Sequence, residues 1–278
     1  MSHLPNIQPL KPWSQPLIRW AGSKRKLIPH LHQHIPSKFN VYYEPFAGSA
    51  CLYFAINPKK AVLSDLNEEL ISAYQIVRDH PRLVWRATTA FQINSETYYL
   101  VRATDPKTLS KIDRAARFFY LNRNCFNGLY RTNRSGQFNV PIGNRTGELP
   151  SEAKFVRASY LLRRAKLICG DFKTSIKTAK KNDFVYLDPP YVYTSRVDRN
   201  EYGNGSFSVN DIPRLLDTLS NLNDRGCHFL LSYLSIDEFI EALPKKAMHT
   251  VEVRRNISGF KQGRGMVKEI MITNRDLF

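Results

Sequence analysis

No stretch of this 278-residue chain approaches the ~20 consecutive apolar residues that a bilayer-spanning helix needs. The opening residues, Met-Ser-His-Leu-Pro, lack the charged-then-apolar pattern of a secretion signal, so a cytoplasmic protein is expected. Cysteine is scarce. Cys51, Cys125, Cys169 and Cys227 stand far apart with no C-x-x-C pair, which gives no zinc signature and fits reduced thiols. His30, His32 and His34 have no accompanying acid or cysteine pattern, so no metal site is read there. No G-x-G-x-x-G is present, and dinucleotide binding is not indicated. Acids are also short, 24 against 41 Lys and Arg, for a formal charge of +17. A chain this basic is suited to polyanions, nucleic acid first. An apolar fraction of 42% is nevertheless ordinary for a globular core, which excludes a disordered polycation.

What is present is the rhythm of an α/β sheet. Val41-Tyr42-Tyr43 reads as a strand, followed by Glu44-Pro45-Phe46-Ala47-Gly48-Ser49-Ala50 and an apolar helix from Cys51 to Ile56. Ala61 to Asp65 is a second short strand, after which Leu70, Ile71, Tyr74 and Val77 recur at helical spacing. Strand signals return at 166–169, 184–187, 227–231, 249–253 and 268–272, with helices expected around 209–222 and 235–242. From 80 to 165 helical patterns give way to a basic segment rich in asparagine and glycine. We therefore expect one Rossmann-like α/β domain formed by 17–79 and 166–278, interrupted by an insertion at 80–165. Residues 1–16, with prolines at 5, 9, 12 and 16, read as an extended lead-in. Cations and rings interleave in 111–181, as in Arg117-Phe118-Phe119-Tyr120 and Tyr130-Arg131, a pattern that fits nucleic acid better than a membrane.

The most informative feature is Asp183-Phe184-Val185-Tyr186-Leu187-Asp188-Pro189-Pro190-Tyr191. Its apolar run has the character of a central parallel strand. Two consecutive prolines lack backbone donors, so the strand must stop there. The result is a rigid shelf at a strand's carboxyl end, where open α/β sheets place ligands. It carries the Asp188 carboxylate, carbonyls with no competing N–H, and the Tyr191 ring, which together suit an exocyclic amino group on a planar ring. Standing alone, the same residues read as a surface turn. Small residues around Gly48 let a ligand approach the backbone, although a packing turn is equally consistent. Asp65 stands where an acid accepts from ribose hydroxyls, and as a helix N-cap it has a second reading. Asp171, with Phe172 beside it, could receive an adenine amino group. Arg19-Trp20-Ala21-Gly22-Ser23-Lys24 makes a candidate clamp for an amino-acid group, with Lys24 meeting its carboxylate.

Taken together, the pieces resemble the Dam-type (D12 class) DNA adenine-N6 methyltransferases. That family's order is W-A-G-x-K, F-x-G-x-G, an acid at the second strand, a recognition segment, then D-P-P-Y. The likeness runs from Arg19 to Asn274 and extends through Asn124-Cys125-Phe126-Asn127-Gly128-Leu129-Tyr130-Arg131 and Gly136-Gln137-Phe138-Asn139-Val140-Pro141. Several unlinked motifs in one order are far more specific than any one of them. Ala50 departs from the pattern, holding the place of the last glycine. The resemblance implies S-adenosylmethionine as cofactor, bound by Trp20, Lys24, Asp65 and Asp188 with Phe46, Gly48, Asp171 and Phe172 lining the site. It implies that Asp188, Pro189, Pro190 and Tyr191 receive a flipped adenine. Within the insertion, Arg131 is expected to make a bidentate guanine contact and Asn127 to meet a base edge. Leu129 and Pro141 are expected to make apolar contacts, and Arg19 to lie near the target strand. The set favours GATC, and Arg145, where the family often has an aromatic residue, leaves the outer base open. For each arginine a plain phosphate contact is the competing reading.

The implied partner is double-stranded DNA, bound by a monomer, with room for a cognate restriction endonuclease acting separately. Cytosine-N4 methylation usually has Ser in place of Asp188, and RNA-adenine or protein-glutamine methylation tends to show Asn-Pro-Pro-Tyr. The chain has no Pro-Cys dipeptide, the nucleophile signature of cytosine-C5 methylation. A catalytically silent DNA-binding module is the non-enzyme alternative. Residues 192–206, with Arg196, Arg199, Gly203 and Gly205, are expected to close over the target strand.

Overall fold

A computed structural model describes residues 16–133, 135–144, 148–191, 207–234, 248–254 and 266–274. The expected lead-in up to residue 15, the closing loop at 192–206, the helix at 235–242 and Arg145 lie outside the described residues. Strands β1 (Tyr42–Glu44), β2 (Ala61–Asp65), β3 (Ala165–Cys169), β4 (Phe184–Leu187), β5 (His228–Leu234), β6 (Met248–Arg254) and β7 (Met266–Thr273) fall where the apolar runs place them, within a few residues. They form one seven-stranded sheet in the order β3-β2-β1-β4-β5-β7-β6. The first five are parallel, and β7 runs antiparallel to both β5 and β6.

Strand periodicity explains why the sheet is covered on both sides. Tyr42, Phe184, Tyr186 and Leu230 face one core, while their neighbours Tyr43, Val185, Leu187 and Leu231 face another. The helices are α1 (Ile28–Gln33), α2 (Cys51–Ile56), α3 (Glu68–Asp79), α4 (Pro81–Thr89), α5 (Ser95–Ala103), α6 (Lys111–Asn124), α7 (Glu152–Leu162), α8 (Phe172–Ser175) and α9 (Ile212–Asp224). The first core is closed by α2, α3, α6 and α7 through Leu52, Ile71, Phe119 and Phe155. The second is closed by α8 and α9 through Phe172, Leu215 and Leu219. This is the doubly wound, Rossmann-like arrangement that the alternation of strands and helices requires.

Helix α3 shows how local sequence fixes an element. Asn67 accepts a hydrogen bond from the Leu70 amide at 3.0 Å, and Glu68 and Glu69 complement the positive end of the helix dipole. Part of the 80–165 segment is thereby core, because α6 and α7 pack against α3. A smaller satellite cluster of Tyr98, Tyr120, Leu121, Phe138 and Val140 supports the loop-rich portion. One reading of the basic segment is corrected here. Arg117 is buried, its guanidinium donating to the Val101 and Arg102 carbonyls at the end of α5, so it cannot face nucleic acid.

Candidate active site

The strand order reverses between β1 and β4, and in open α/β sheets ligands bind outside the carboxyl ends at such a point. A cavity of about 470 Å³ opens there. Every residue expected to be catalytic or to hold the cofactor lines it. Trp20 and Lys24 come from the segment before the sheet, Phe46 and Gly48 from the turn after β1, and Asp65 from the end of β2. Asp171 and Phe172 follow β3, and Asp188 to Tyr191 follow β4. Residues separated by up to about two thirds of the chain therefore line one cavity.

Gly48 explains why the first turn has its sequence. Its φ is +45°, and an added Cβ would stand 2.7 Å from Trp20 Cδ1, so only glycine permits both the turn and the tryptophan. Its amide donates to Asp65 Oδ2 at 3.0 Å, and its carbonyl accepts from the Tyr74 hydroxyl at 2.8 Å. Asp65 Oδ1 accepts from the Asn67 amide at 2.9 Å. Asn67 is thus the helix cap, and Asp65 instead locks the glycine turn to β2. Burial pushes the Asp65 carboxyl up, opposed by the amides of Asn67 and Gly48. Ala50 adopts the left-handed conformation, with φ of 49°. The departure from glycine therefore sits where a side chain carries a steric cost.

At the shelf, Asp188 Oδ1 receives the Lys24 ammonium at 2.7 Å and the Ser232 hydroxyl at 3.0 Å. Ser232 is also hydrogen-bonded to Tyr186 at 2.9 Å, so strand β5 fixes the carboxylate from behind. The Lys24 ammonium donates to the Gly22 carbonyl, lies 4.0 Å from Glu269 and stands 4.7 Å from the centre of the Tyr191 ring. It thus faces the shelf's own carboxylate. Tyr191 packs edge-on against Tyr233, with ring centres 5.5 Å apart. Glu44, buried at the end of β1, accepts from the Tyr42 hydroxyl at 2.9 Å. Burial pushes its carboxyl up to about 8, the Tyr42 bond acting against the shift.

The opposite wall is aromatic. Phe46 stacks on Phe172 with centres 5.2 Å apart, and Phe207 meets Phe46 edge-on. Asp171 caps α8 through the Lys173 amide and pairs with Arg214 at 2.9 Å, the Arg214 guanidinium lying over the Phe172 ring. Ser232, Glu269, Phe207 and Arg214 were not singled out in the sequence. A serine within Leu230-Leu231-Ser232-Tyr233-Leu234 is the one available signal, since a buried hydroxyl in an apolar strand needs a partner.

Of the expected DNA-contacting residues that are described, Arg19, Asn127, Leu129, Arg131 and Pro141 do not line the cavity, although their neighbours Tyr130, Thr132 and Gly136 do. Residues 131–133 pair antiparallel with 137–139, through Asn139 N–H to the Arg131 carbonyl at 3.0 Å, and the Asn133 side chain accepts from the Ser135 and Gln137 amides. Arg131 Nε donates to Asn139 Oδ1 at 2.9 Å. Asn127 has φ of 54°, and its Nδ2 is buried without a hydrogen-bond partner among the described residues. Leu129 is half-buried against the satellite cluster, and Pro141 is exposed. The Arg19 backbone is clasped by the Asn122 side chain, and its side chain crosses Gly128 to reach the Arg123 carbonyl. The two regions are joined by Trp20, which stacks on Tyr130 at 5.9 Å. Among the described residues, no group of His, Cys, Asp and Glu is arranged to hold a metal ion.

The profile of the D12 class N6 adenine-specific DNA methyltransferases matches residues 20–257. A type II methyltransferase of Lactococcus lactis subsp. cremoris, M1.LlaDCHI, is 36% identical over 270 residues, covering 94% of this chain and 95% of that protein. The type II methyltransferase M.MjaIII of Methanocaldococcus jannaschii is 30% identical over 286 residues, covering 94% and 99%. A DNA adenine methylase of Escherichia coli is 30% identical over 259 residues, covering 91% and 93%.

Proposed function

Because the chain belongs to the D12 class N6 adenine-specific DNA methyltransferase family, we propose that it methylates a flipped adenine within GATC in duplex DNA, using S-adenosylmethionine. The observation that carries this reading is the continuity of the cavity. The Asp188–Tyr191 shelf and the Gly48–Asp65 turn open into the same space, so an amino group on one side faces a methyl donor on the other.

The residues present fit the donor. A cavity of about 470 Å³ is in the usual range for a cofactor-sized ligand. Asp65 keeps lone pairs for ribose hydroxyls after accepting the two backbone amides, and Phe46 and Phe172 offer flat walls for an adenine ring. Asp171, Trp20 and Lys24 complete the enclosure. When bound, the donor's sulfonium supplies an electrophilic methyl group. The chain supplies position. Asp188 and the Pro189 carbonyl accept the two hydrogens of the adenine amino group, which turns the nitrogen lone pair out of the ring and toward the methyl. Tyr191 stacks on the base and offsets part of the few kcal/mol that unstacking costs. Alignment of this kind lowers a barrier by roughly 7–11 kcal/mol without a covalent nucleophile. Lys24 must yield one Asp188 lone pair or share it, and its ammonium already marks the carboxylate as a seat for an N–H donor.

Arg131, Asn127, Leu129, Pro141, Arg19 and Arg145 are assigned to DNA reading, and residues 80–165 to target recognition. We further propose that the protein works as a monomer in the cytoplasm, beside a cognate restriction endonuclease acting separately. The test is incubation with tritiated S-adenosylmethionine and duplex DNA that contains or lacks GATC, followed by digestion to nucleosides. Labelled N6-methyladenine from the GATC duplex alone is expected; no label in any duplex refutes the reading, and label in cytosine replaces it.

A further inference from the structure

The active site uses the carboxyl ends of the strands, yet several cations that form no ion pair among the described residues lie at the amino ends. Arg163 and Arg164 immediately precede β3, Lys59 and Lys60 immediately precede β2, and Lys180 and Lys181 form the turn ahead of β4. All but the half-buried Arg164 are exposed. Backbone hydrogen bonds set these turns side by side. Ala61 donates to the Arg164 carbonyl, Tyr42 to that of Lys60, Asn40 to that of Asn182, and Asn182 to that of Gly226. The last bond adds exposed Arg225 to the row.

The row follows the strand order β3-β2-β1-β4-β5, so neighbours are about 4.8 Å apart and the whole spans about 19 Å. That is roughly half a turn of duplex. The register keeps the ends level, Ala165 opposite Ala61, Ala61 opposite Tyr42, and Tyr42 opposite Phe184. Some arginines elsewhere are held by acids, Arg114 by Glu68 and Glu69, and Arg214 by Asp171 and Asp211. No ion pair of the six turn cations is found among the described residues. Arg164 donates only to neutral oxygens of Asn57 and Tyr160. Nearby acids do little to neutralise the row. Asp183 is buried and taken by the Val41 and Lys180 amides, Asp79 is paired with Arg78 and acts on Arg163 only at longer range, and exposed Asp224 is one charge.

We propose that this amino-end row is a second duplex-binding surface, remote from the cavity, that holds another stretch of DNA by its phosphates. A level, unpaired line of lysines and arginines on rigid turns has the geometry for a phosphate backbone and none for base readout. Strands of four or five residues put it about 15 Å from the cavity and at the opposite ends of the strands, so a straight duplex seated at the cavity does not turn back onto the row. The protein can then hold two segments together while methylating one.

The test mixes the full chain with a short biotinylated GATC duplex and a fluorescent duplex lacking GATC, captures the first on streptavidin and reads the second. The wild type is expected to carry fluorescent duplex onto the beads. The variant K59Q/K60Q/K180Q/K181Q is expected to lose roughly tenfold or more of it and to bind with a shallower salt dependence. Its methylation of the short duplex should be unchanged. Asp188→Ala should still bridge, which separates failure of this inference from failure of the methyl-transfer reading. A wild type that holds one duplex only, a neutralised variant that bridges as well as the wild type, or a row that binds anionic vesicles but no duplex overturns the proposal.

Discussion

The Lys24 ammonium lies 2.7 Å from Asp188 Oδ1, and its side chain is 4% exposed. The pair ties the segment before the sheet to the end of its central strand. Burial alone would favour the neutral amine, but Asp188, Tyr191 and Glu269 raise its pKa well above the ordinary lysine value of 10.5. A cation with a raised folded pKa stabilises fully below its unfolded value and loses that contribution only as pH rises through the folded one. Across neutral pH the pair is therefore constant.

Removing one partner of a buried pair typically costs about 3–5 kcal/mol, because the other charge is left uncompensated. Lys24→Met should lower the unfolding free energy measured by urea titration by an amount of that order, with the midpoint falling in proportion. The double variant Lys24→Met/Asp188→Asn should recover much of the stability and none of the methyl transfer. A single variant as stable as the parent would contradict the pairing described here.

Glu44 makes stability depend on pH in the opposite region. Its carboxyl ordinarily titrates at 4.5 and in the folded chain at about 8, chiefly because it is buried. Between those values the folded state holds a proton that the unfolded state has released, so stability falls as pH rises, by up to about 1.4 kcal/mol per pH unit. Glu44→Gln keeps an acceptor for the Tyr42 hydroxyl and removes the titration. Thermal melts from pH 5 to pH 8, in steps of about one unit, should show a flatter decline for the variant. Parallel declines would assign the slope to other groups.

The sheet was legible because its strands are continuous apolar runs between turn residues, and the shelf because Pro189-Pro190 can only end a strand. The cofactor loop was legible through Gly48 and Asp65, 17 residues apart and joined by one hydrogen bond. Contacts made from the side by other strands were not. Ser232 reaches Asp188 across 44 residues and Arg214 reaches Asp171 across 43, and neither local pattern announces its partner. Arg117 was misread for the converse reason. Sequence gives its charge, but only packing shows that its guanidinium turns inward to the last carbonyls of α5.

Ala50 gives a stability prediction of the opposite sign. At φ of 49° an alanine carries a steric cost of about 1–2 kcal/mol that glycine lacks. Glycine gains about 0.4–1 kcal/mol of freedom in the unfolded chain, which offsets part of the benefit. Ala50→Gly should therefore raise stability by about 0.5–1 kcal/mol in urea unfolding, with methyl transfer retained. Destabilisation would mean that the Ala50 methyl, buried in the first core, contributes more than its backbone strain.

Arg131 decides between sequence reading and simple attachment. Its Nε is held by Asn139 Oδ1 at 2.9 Å, which orients the guanidinium and leaves its two terminal nitrogens as a fork. A fork suits the two acceptors on a guanine edge, and a good bidentate contact discriminates by about 1–3 kcal/mol. Arg131→Lys keeps the charge and loses the fork. On the base-reading account, kcat/KM should fall roughly 5- to 150-fold on the cognate duplex and little on a duplex changed at the contacted base, so the ratio collapses. Asn139→Ala should move the ratio the same way by less, since it frees the fork without removing it. If Arg131 only meets a phosphate, lysine serves nearly as well and any loss is equal on both duplexes. Competition between the two duplexes in one tube measures that ratio directly, independent of enzyme concentration, and an unchanged ratio would assign Arg131 to the backbone.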